Sequence, residues 1–336
     1  MACLARGWRR NRGSVSDLIP PPVLFFALGA LAAALRSDLH LPDALAKALS
    51  VYLMIAIGLK GGFAIAAPGA AGGLAAALAV GVALSFALPV IAFGLLRAAS
   101  RLDRETAAAV AGHYGSVSVV TFAAAVGVLQ ASHIPSEGFM PAVLAAMETP
   151  AIITALLLAR GGPAQATGPG ALPSLPALLR EVLLSGSVVL LLGAFFIGWF
   201  GGARAQAQFA PFVEGLFPGV LALFLLEMGL LAVRQLQAAP RGLDWRLIGF
   251  GILMPLIGGA AGLGGGWLAG LSTGGVALMA VLGGSASYIA VPAAMRMALP
   301  RADAGIYVTL SLAVSFPFNV VLGIPLWLAA ARALNG

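Results

Sequence analysis

The sequence predicts an all-α polytopic membrane protein of about ten transmembrane helices, arranged as a five-plus-five inverted repeat with the fourth and ninth helices broken. Three observations predict it. Hydrophobic residues make up 60% of the 336 and charged residues 9%, with a mean hydropathy of +1.00, which leaves too little polar surface to solvate a globular domain of this size. Long apolar stretches rich in Ala, Leu and Gly follow one another from Leu18 to Leu328. In lipid only helices or closed barrels satisfy the backbone, and a barrel would show short alternating segments instead. Finally, a Gly-Ser motif in the first half of the chain returns in the second.

At roughly 20 apolar residues per crossing, spans fall near 18–35, 44–61, 73–96, 105–130, 139–159, 178–200, 211–233, 246–270, 275–298 and 305–330. They divide the chain into an N-terminal tail (1–17), a first five-helix repeat (18–160), a Gly/Pro-rich cytoplasmic linker (161–177) and a second, inverted five-helix repeat (178–330). The tail carries Arg6, Arg9, Arg10 and Arg12. No apolar region with a small-residue cleavage site follows before Pro20-Pro21-Pro22, so no cleavable signal is expected.

The repeat rests on spacing. Gly115-Ser116-Val117-Ser118 in span four answers to Gly284-Ser285-Ala286-Ser287 in span nine, 169 positions later. Gly138 and Pro150 answer to Gly305 and Pro317, each 167 positions later. An odd number of helices per copy makes the second copy enter the membrane from the opposite side, the inverted plan of secondary transporters. Lys and Arg set the orientation. Loops after the odd-numbered spans hold twelve: Arg36, Lys47, Arg97, Arg101, Arg104, Arg160, Arg180, Arg234, Arg241, Arg246, Arg296 and Arg301. The opposite side holds Lys60, Arg204 and Arg332. This bias puts the odd loops in the cytoplasm and both termini outside, in the plasma (inner) membrane of a bacterium. The four tail arginines run against that orientation, and the five inner loops outweigh them.

Composition removes other chemistries. The single Cys3 and three His give no metal-ligand spacing, so no metal other than sodium is expected. The net charge of +7 is scattered over short loops rather than gathered in a stripe with aromatics, which argues against nucleic acid and for loop orientation.

The residues that remain are intramembrane and polar, and each needs a partner there. Gly115, Ser116, Val117 and Ser118, with His113, Tyr114 and Thr121, lie at mid-span, as do Gly284, Ser285, Ala286 and Ser287. Gly weakens a helix by about 1 kcal/mol against Ala, so both spans are places for a break. The N-terminal end of a half-helix suits an anion, and C-terminal carbonyls suit a cation. Small residues also simply let membrane helices pack closely. Glu148, in Met147-Glu148-Thr149-Pro150, sits near the middle of span five, where a charge costs at least about 2.5 kcal/mol. A sodium ion would offset that, since a hard cation takes oxygen ligands; a protonated carboxyl hydrogen-bonded inside the bundle is the alternative. Asn319 is the comparable polar group of the second half. Glu227 has no polar repeat-mate, Ala56 standing opposite. Lys60 either draws anions to an outer vestibule or snorkels to the interface.

Five blocks carry a resemblance to a known family: Gly58-Leu59-Lys60-Gly61-Gly62, His113 to Phe122, Met147-Glu148-Thr149-Pro150, Gly284 to Ala294, and Phe316 to Pro325. In this order they resemble the sodium-dependent bicarbonate transporters of the SbtA type, over about Leu18 to Leu328. The resemblance implies a core and a gate domain, a homotrimer, and sodium/bicarbonate symport by an elevator-like movement. Cyanobacterial relatives are controlled by a PII-like cytoplasmic protein; the short, almost uncharged linker here departs from what such a partner would grip. On this reading Gly115 to Ser118 and Gly284 to Ser287 hold bicarbonate, while Thr121, Glu148 and Asn319 hold sodium, the coupling ion. Other readings stay open: a sodium- or proton-coupled carrier of another small anion, a sodium/proton antiporter, a receptor that binds an ion without moving it, or an intramembrane serine hydrolase with His113 as base to Ser116.

Overall fold

The computed structural model describes residues 21–66, 72–160, 180, 184, 186–239 and 243–335. The tail and the linker of the sequence reading lie outside them. Among the described residues every regular element is helical. In order they are α1 (Pro21–Ala34), α2 (Asp43–Ile65), α3 (Leu74–Ala99), α4 (Arg104–His113), α5 (Val119–Ala131), α6 (Met140–Arg160), α7 (Gly186–Ala210), α8 (Phe217–Gln237), α9 (Trp245–Leu268), α10 (Thr273–Gly284) and α11 (Ala290–Ala298). Last comes α12 (Ala304–Asn335). Among the described residues, six stretches are long and apolar enough to cross a membrane. Large apolar side chains such as Leu24, Leu28, Ile197 and Phe200 stand exposed on their outer faces, as lipid as solvent allows.

Local chemistry sets the helix ends. Asp103 caps α4 by accepting from the Thr106 amide at 2.9 Å, and Ser272 caps α10 by accepting from the Gly275 amide at 3.2 Å. These side chains satisfy first-turn N–H groups that the helix itself leaves open. The stretch Val188–Gln237 runs 50 residues, about 75 Å if straight, more than two hydrocarbon thicknesses. It bends at Gly202, whose φ of 52° lies outside the helical region, and passes through a π-turn at Pro211–Gly215 before α8.

Two spans carry departures from regular helix that the sequence reading does not address. Span ten is not a uniform helix: α12 contains π-turns at Thr309–Ser315 and Asn319–Gly323 around Phe316–Phe318; the first lies in the turn before Pro317, which has no N–H for the ladder and crowds the carbonyl four residues earlier. Span seven does not begin as α-helix at 211, since that turn is the π-turn before Phe217.

As they do where Gly258 of α9 meets Gly283 of α10, backbones approach closely where α1 crosses α8 and α2 crosses α7. A Cβ on Gly29 would overlap the carbonyl oxygen of Leu226, and one on Gly229 that of Phe26. On the other pair, a Cβ on Gly62 would overlap the carbonyl oxygen of Phe195, and one on Gly198 would lie 2.5 Å from that of Leu59. Gly62→Leu and Gly229→Leu are therefore each expected to lower the unfolding free energy by about 1–3 kcal/mol or more through overpacking. Thermal unfolding of the purified variants checks this, with shifts of similar size at the two positions.

Candidate functional site

Tyr114 to Ser118 separate α4 from α5, and Ser285 to Ile289 separate α10 from α11. The two interruptions touch. The Ser287 amide donates to the His113 carbonyl at 2.9 Å, and the Ser118 amide donates to Ser285 Oγ at 3.1 Å. Ser285 Oγ in turn donates to the Leu282 carbonyl at 2.9 Å, and the Gly284 carbonyl accepts from Asn319 Nδ2 at 2.9 Å. Gly115 has φ +154°, and a Cβ there would lie 2.5 Å from Pro89 Cδ on α3. A glycine lets this turn sit directly on the Pro89 ring.

Neighbouring helices fix both breaks in place. Ser315 Oγ donates to the Gly251 carbonyl at 2.6 Å, so its one proton is used and Tyr114 Oη donates to it at 2.7 Å. On the other side Ser85 Oγ donates to the Met147 carbonyl at 2.6 Å and accepts from the Ala151 amide at 3.1 Å. One hydroxyl thus stands inside the i to i−4 ladder of α6 beside Pro150, opening the helix at the turn that carries Glu148.

Between the interruptions lies a cavity lined by Val117, Ser118, Glu148, Ser287, Tyr288 and Ala290, and closed by Ser50 and Met54 of α2. Water can enter about 20 Å³ of it, room for one small species. Two helix N-termini open here. At α5, Ser118 Oγ accepts from the Thr121 amide at 3.2 Å, and the Val119 and Val120 amides precede any intrahelical acceptor. At α11 the same holds for the Ala290 and Val291 amides. Besides Tyr288 Oη in the wall, three oxygens at the breaks are buried without a hydrogen-bond partner: Ser116 Oγ, Thr121 Oγ1 and Glu148 Oε2. All three come from the first half of the chain.

Of the residues singled out from sequence, Val117, Ser118, Glu148 and Ser287 share the cavity wall. Gly115, Ser116, Gly284, Ser285 and Ala286 form the interruptions behind it. Thr121 is in the first turn of α5, and Asn319 reaches the break through its amide nitrogen. Lys60 is not in the wall; its Nζ lies 4.9 Å from the Phe217 ring centroid. Glu227 is buried on α8. His113 Nδ1 bonds the Ala109 carbonyl at 2.7 Å, while His113 Nε2 and Ser116 Oγ have no hydrogen-bond partner, so base and nucleophile of a hydrolase are not joined. Sequence reasoning missed Ser50, Met54 and Ser85, and quoted Tyr288 in the second break without giving it a role. For Ser85 the signal was present, a lone hydroxyl in an apolar helix.

An all-helical, multi-pass membrane protein whose interrupted helices enclose a small polar cavity belongs to the class of membrane transport proteins. The family profile of the Na+-dependent bicarbonate transporter superfamily matches residues 21–332, and the chain belongs to that superfamily. Membership makes it a transporter and not an enzyme. Among curated proteins none matches the chain.

Proposed function

We propose that this chain is a sodium/bicarbonate symporter in which one pair of interrupted helices holds both ions. The observation that carries the reading is the meeting of the α5 and α11 N-termini in one cavity whose wall includes Glu148, with unpartnered buried hydroxyls at Ser116 in the adjoining break and Thr121 in the first turn of α5. Bicarbonate fits the first feature: the amides of the two first turns and the hydroxyls of Ser118 and Ser287 are donors, and two half-helix dipoles favour negative charge. Sodium fits the second, since a hard cation takes hydroxyl and carboxylate oxygens, and Ser116, Thr121 and Glu148 offer three. Ser116 moves in this account from the anion's ligands to the cation's. Asn319 holds the Gly284 carbonyl in place and keeps the second break in register. Gly115 and Gly284 keep the breaks close to α3 and α9, and Val117 and Ala286 set their span.

Packing supports the ten-crossing inverted repeat of this reading. Gly198 and Phe195 stand 169 positions after Gly29 and Phe26, and Gly229 and Leu226 stand 167 after Gly62 and Leu59; the same register sets Glu227 opposite Lys60, not opposite Ala56 as the sequence reading has it. The α1–α8 contact is thus the α2–α7 contact made by the other copy. The caps Asp103 and Ser272 are also 169 apart. Helices α1, α2, α7 and α8 pack on one another, and α3 pairs with α6 and α9 with α10, a division that suits a gate and a core. An elevator-like movement of the core past Ser50 and Met54 then exposes the cavity to either side. The same reading gives a homotrimer in a bacterial inner membrane with both termini outside.

The test is uptake of labelled bicarbonate into proteoliposomes under an inward sodium gradient. Accumulation that vanishes when the gradient is collapsed is expected; accumulation that persists without it overturns the proposal. Ser118→Ala and Ser287→Ala are each expected to raise KM for bicarbonate by about tenfold, one hydrogen bond to a charged ligand being worth about 1.5 kcal/mol or more. Initial rates across a bicarbonate series check this.

A further inference from the structure

A groove between the end of α3 and the start of α9 serves neither ion in the account above. Its open end is lined by Ser100, Arg101, Asp244, Trp245 and Arg246 and holds about 460 Å³. It continues into an apolar part of about 470 Å³ lined by Leu95, Leu96, Phe250 and Leu253. Ser100, Trp245 and Arg246 line both parts, so the groove is continuous. Trp245 is 76% exposed, and the Arg246 guanidinium lies 5.5 Å from its ring centroid. Arg97 donates to the Leu102 carbonyl at 3.0 Å, which fixes the loop that presents Arg101. The one carboxylate, Asp244, accepts from the Leu247 amide at 3.0 Å as the cap of α9. Two guanidinium groups therefore face the opening against one carboxylate already engaged.

The order along the groove is charge and exposed indole first, then leucine and phenylalanine one to two turns into the helices. A phospholipid has the same order from headgroup to acyl chain, and an exposed tryptophan at a helix end marks the level of the headgroups. A soluble anion would leave the apolar part unfilled, and an uncharged headgroup would leave both arginines without a counter-charge. We propose that the groove binds an anionic phospholipid, its phosphate against Arg101 and Arg246 and one acyl chain along Leu95, Phe250 and Leu253. A bound lipid would brace the ends of α3 and α9, the helices against which Gly115 and Gly284 of the two breaks are packed.

Native mass spectrometry of the full chain in detergent, with phosphatidylglycerol and phosphatidylcholine at equal concentration, tests this without any transport measurement. The protein is expected to retain phosphatidylglycerol in preference. Arg101→Ala with Arg246→Ala should weaken retention by tenfold or more, at about fivefold per arginine near a membrane surface, while Arg101→Lys with Arg246→Lys should stay within a few-fold of the native protein. Equal retention of the two lipids, undiminished retention in the alanine pair, or displacement by soluble glycerol phosphate or a nucleotide overturns the proposal. A second readout needs no arginine variant. Brominated phosphatidylglycerol should quench the native protein more than Trp245→Phe, and more than brominated phosphatidylcholine does; equal quenching in either comparison overturns the proposal.

Discussion

Glu148→Gln is expected to abolish sodium-driven uptake while leaving the protein folded. Glutamine matches the volume of the glutamate and keeps one carbonyl oxygen, so the packing of α6 around Ser85 and Pro150 is retained. What disappears is a full charge at a buried position, where Glu148 is 2% exposed and its Oε2 has no protein partner. At about 4 Å and an effective dielectric of 20, a carboxylate and a sodium ion attract by about 4 kcal/mol, so sodium binding should weaken by roughly 100-fold or more. Sodium titration of initial uptake rates checks this, with thermal unfolding as the control for folding. Unchanged sodium affinity in a folded Glu148→Gln protein would remove the carboxylate from the cation's ligands.

The second large effect concerns movement. Met54 on α2 and Ile289 at the start of α11 face the same cavity, one from the proposed gate and one from the proposed core. A reducible bifunctional thiol reagent that bridges Met54→Cys and Ile289→Cys, in a Cys3→Ser background, should stop uptake almost completely, and reduction should restore it. A flexible bridge suits the pair better than a direct disulfide, whose geometry is narrow. If the core did not move against α2, the bridged protein would transport at the rate of the unbridged one.

Much of this architecture was legible because lipid simplifies the problem. Apolar composition alone requires helices, and glycine and serine at mid-span, where α4 gives way to α5 and α10 to α11, are costly enough to announce helix ends. The 169-residue spacing of Gly115 and Gly284 was visible because a Gly-Ser-X-Ser pattern is rare enough to notice. The equal spacing of Gly29 and Gly198 was not, since 44 glycines hide any one register. Ser50 and Met54 lie in an apolar span with nothing to single them out; only the packing of α2 across the breaks brings them to the cavity. The π-turns of α12 escaped because Pro317 signals a disturbance without saying whether the helix kinks or widens. The proposed sorting of ligands between the two ions draws on a difference that sequence hides: Ser116 and Ser285 are repeat-mates, yet Ser285 Oγ bonds the Ser118 amide while Ser116 Oγ has no hydrogen-bond partner.

The central claim is that one pair of helix breaks holds a cation and an anion close enough for each to stabilise the other, and equilibrium binding to the purified protein tests it most directly. Calorimetric titration of sodium with and without saturating bicarbonate should show affinity rising tenfold or more, and the reverse titration should show the same factor, as linkage requires. Sodium affinity that is indifferent to bicarbonate would contradict a shared site.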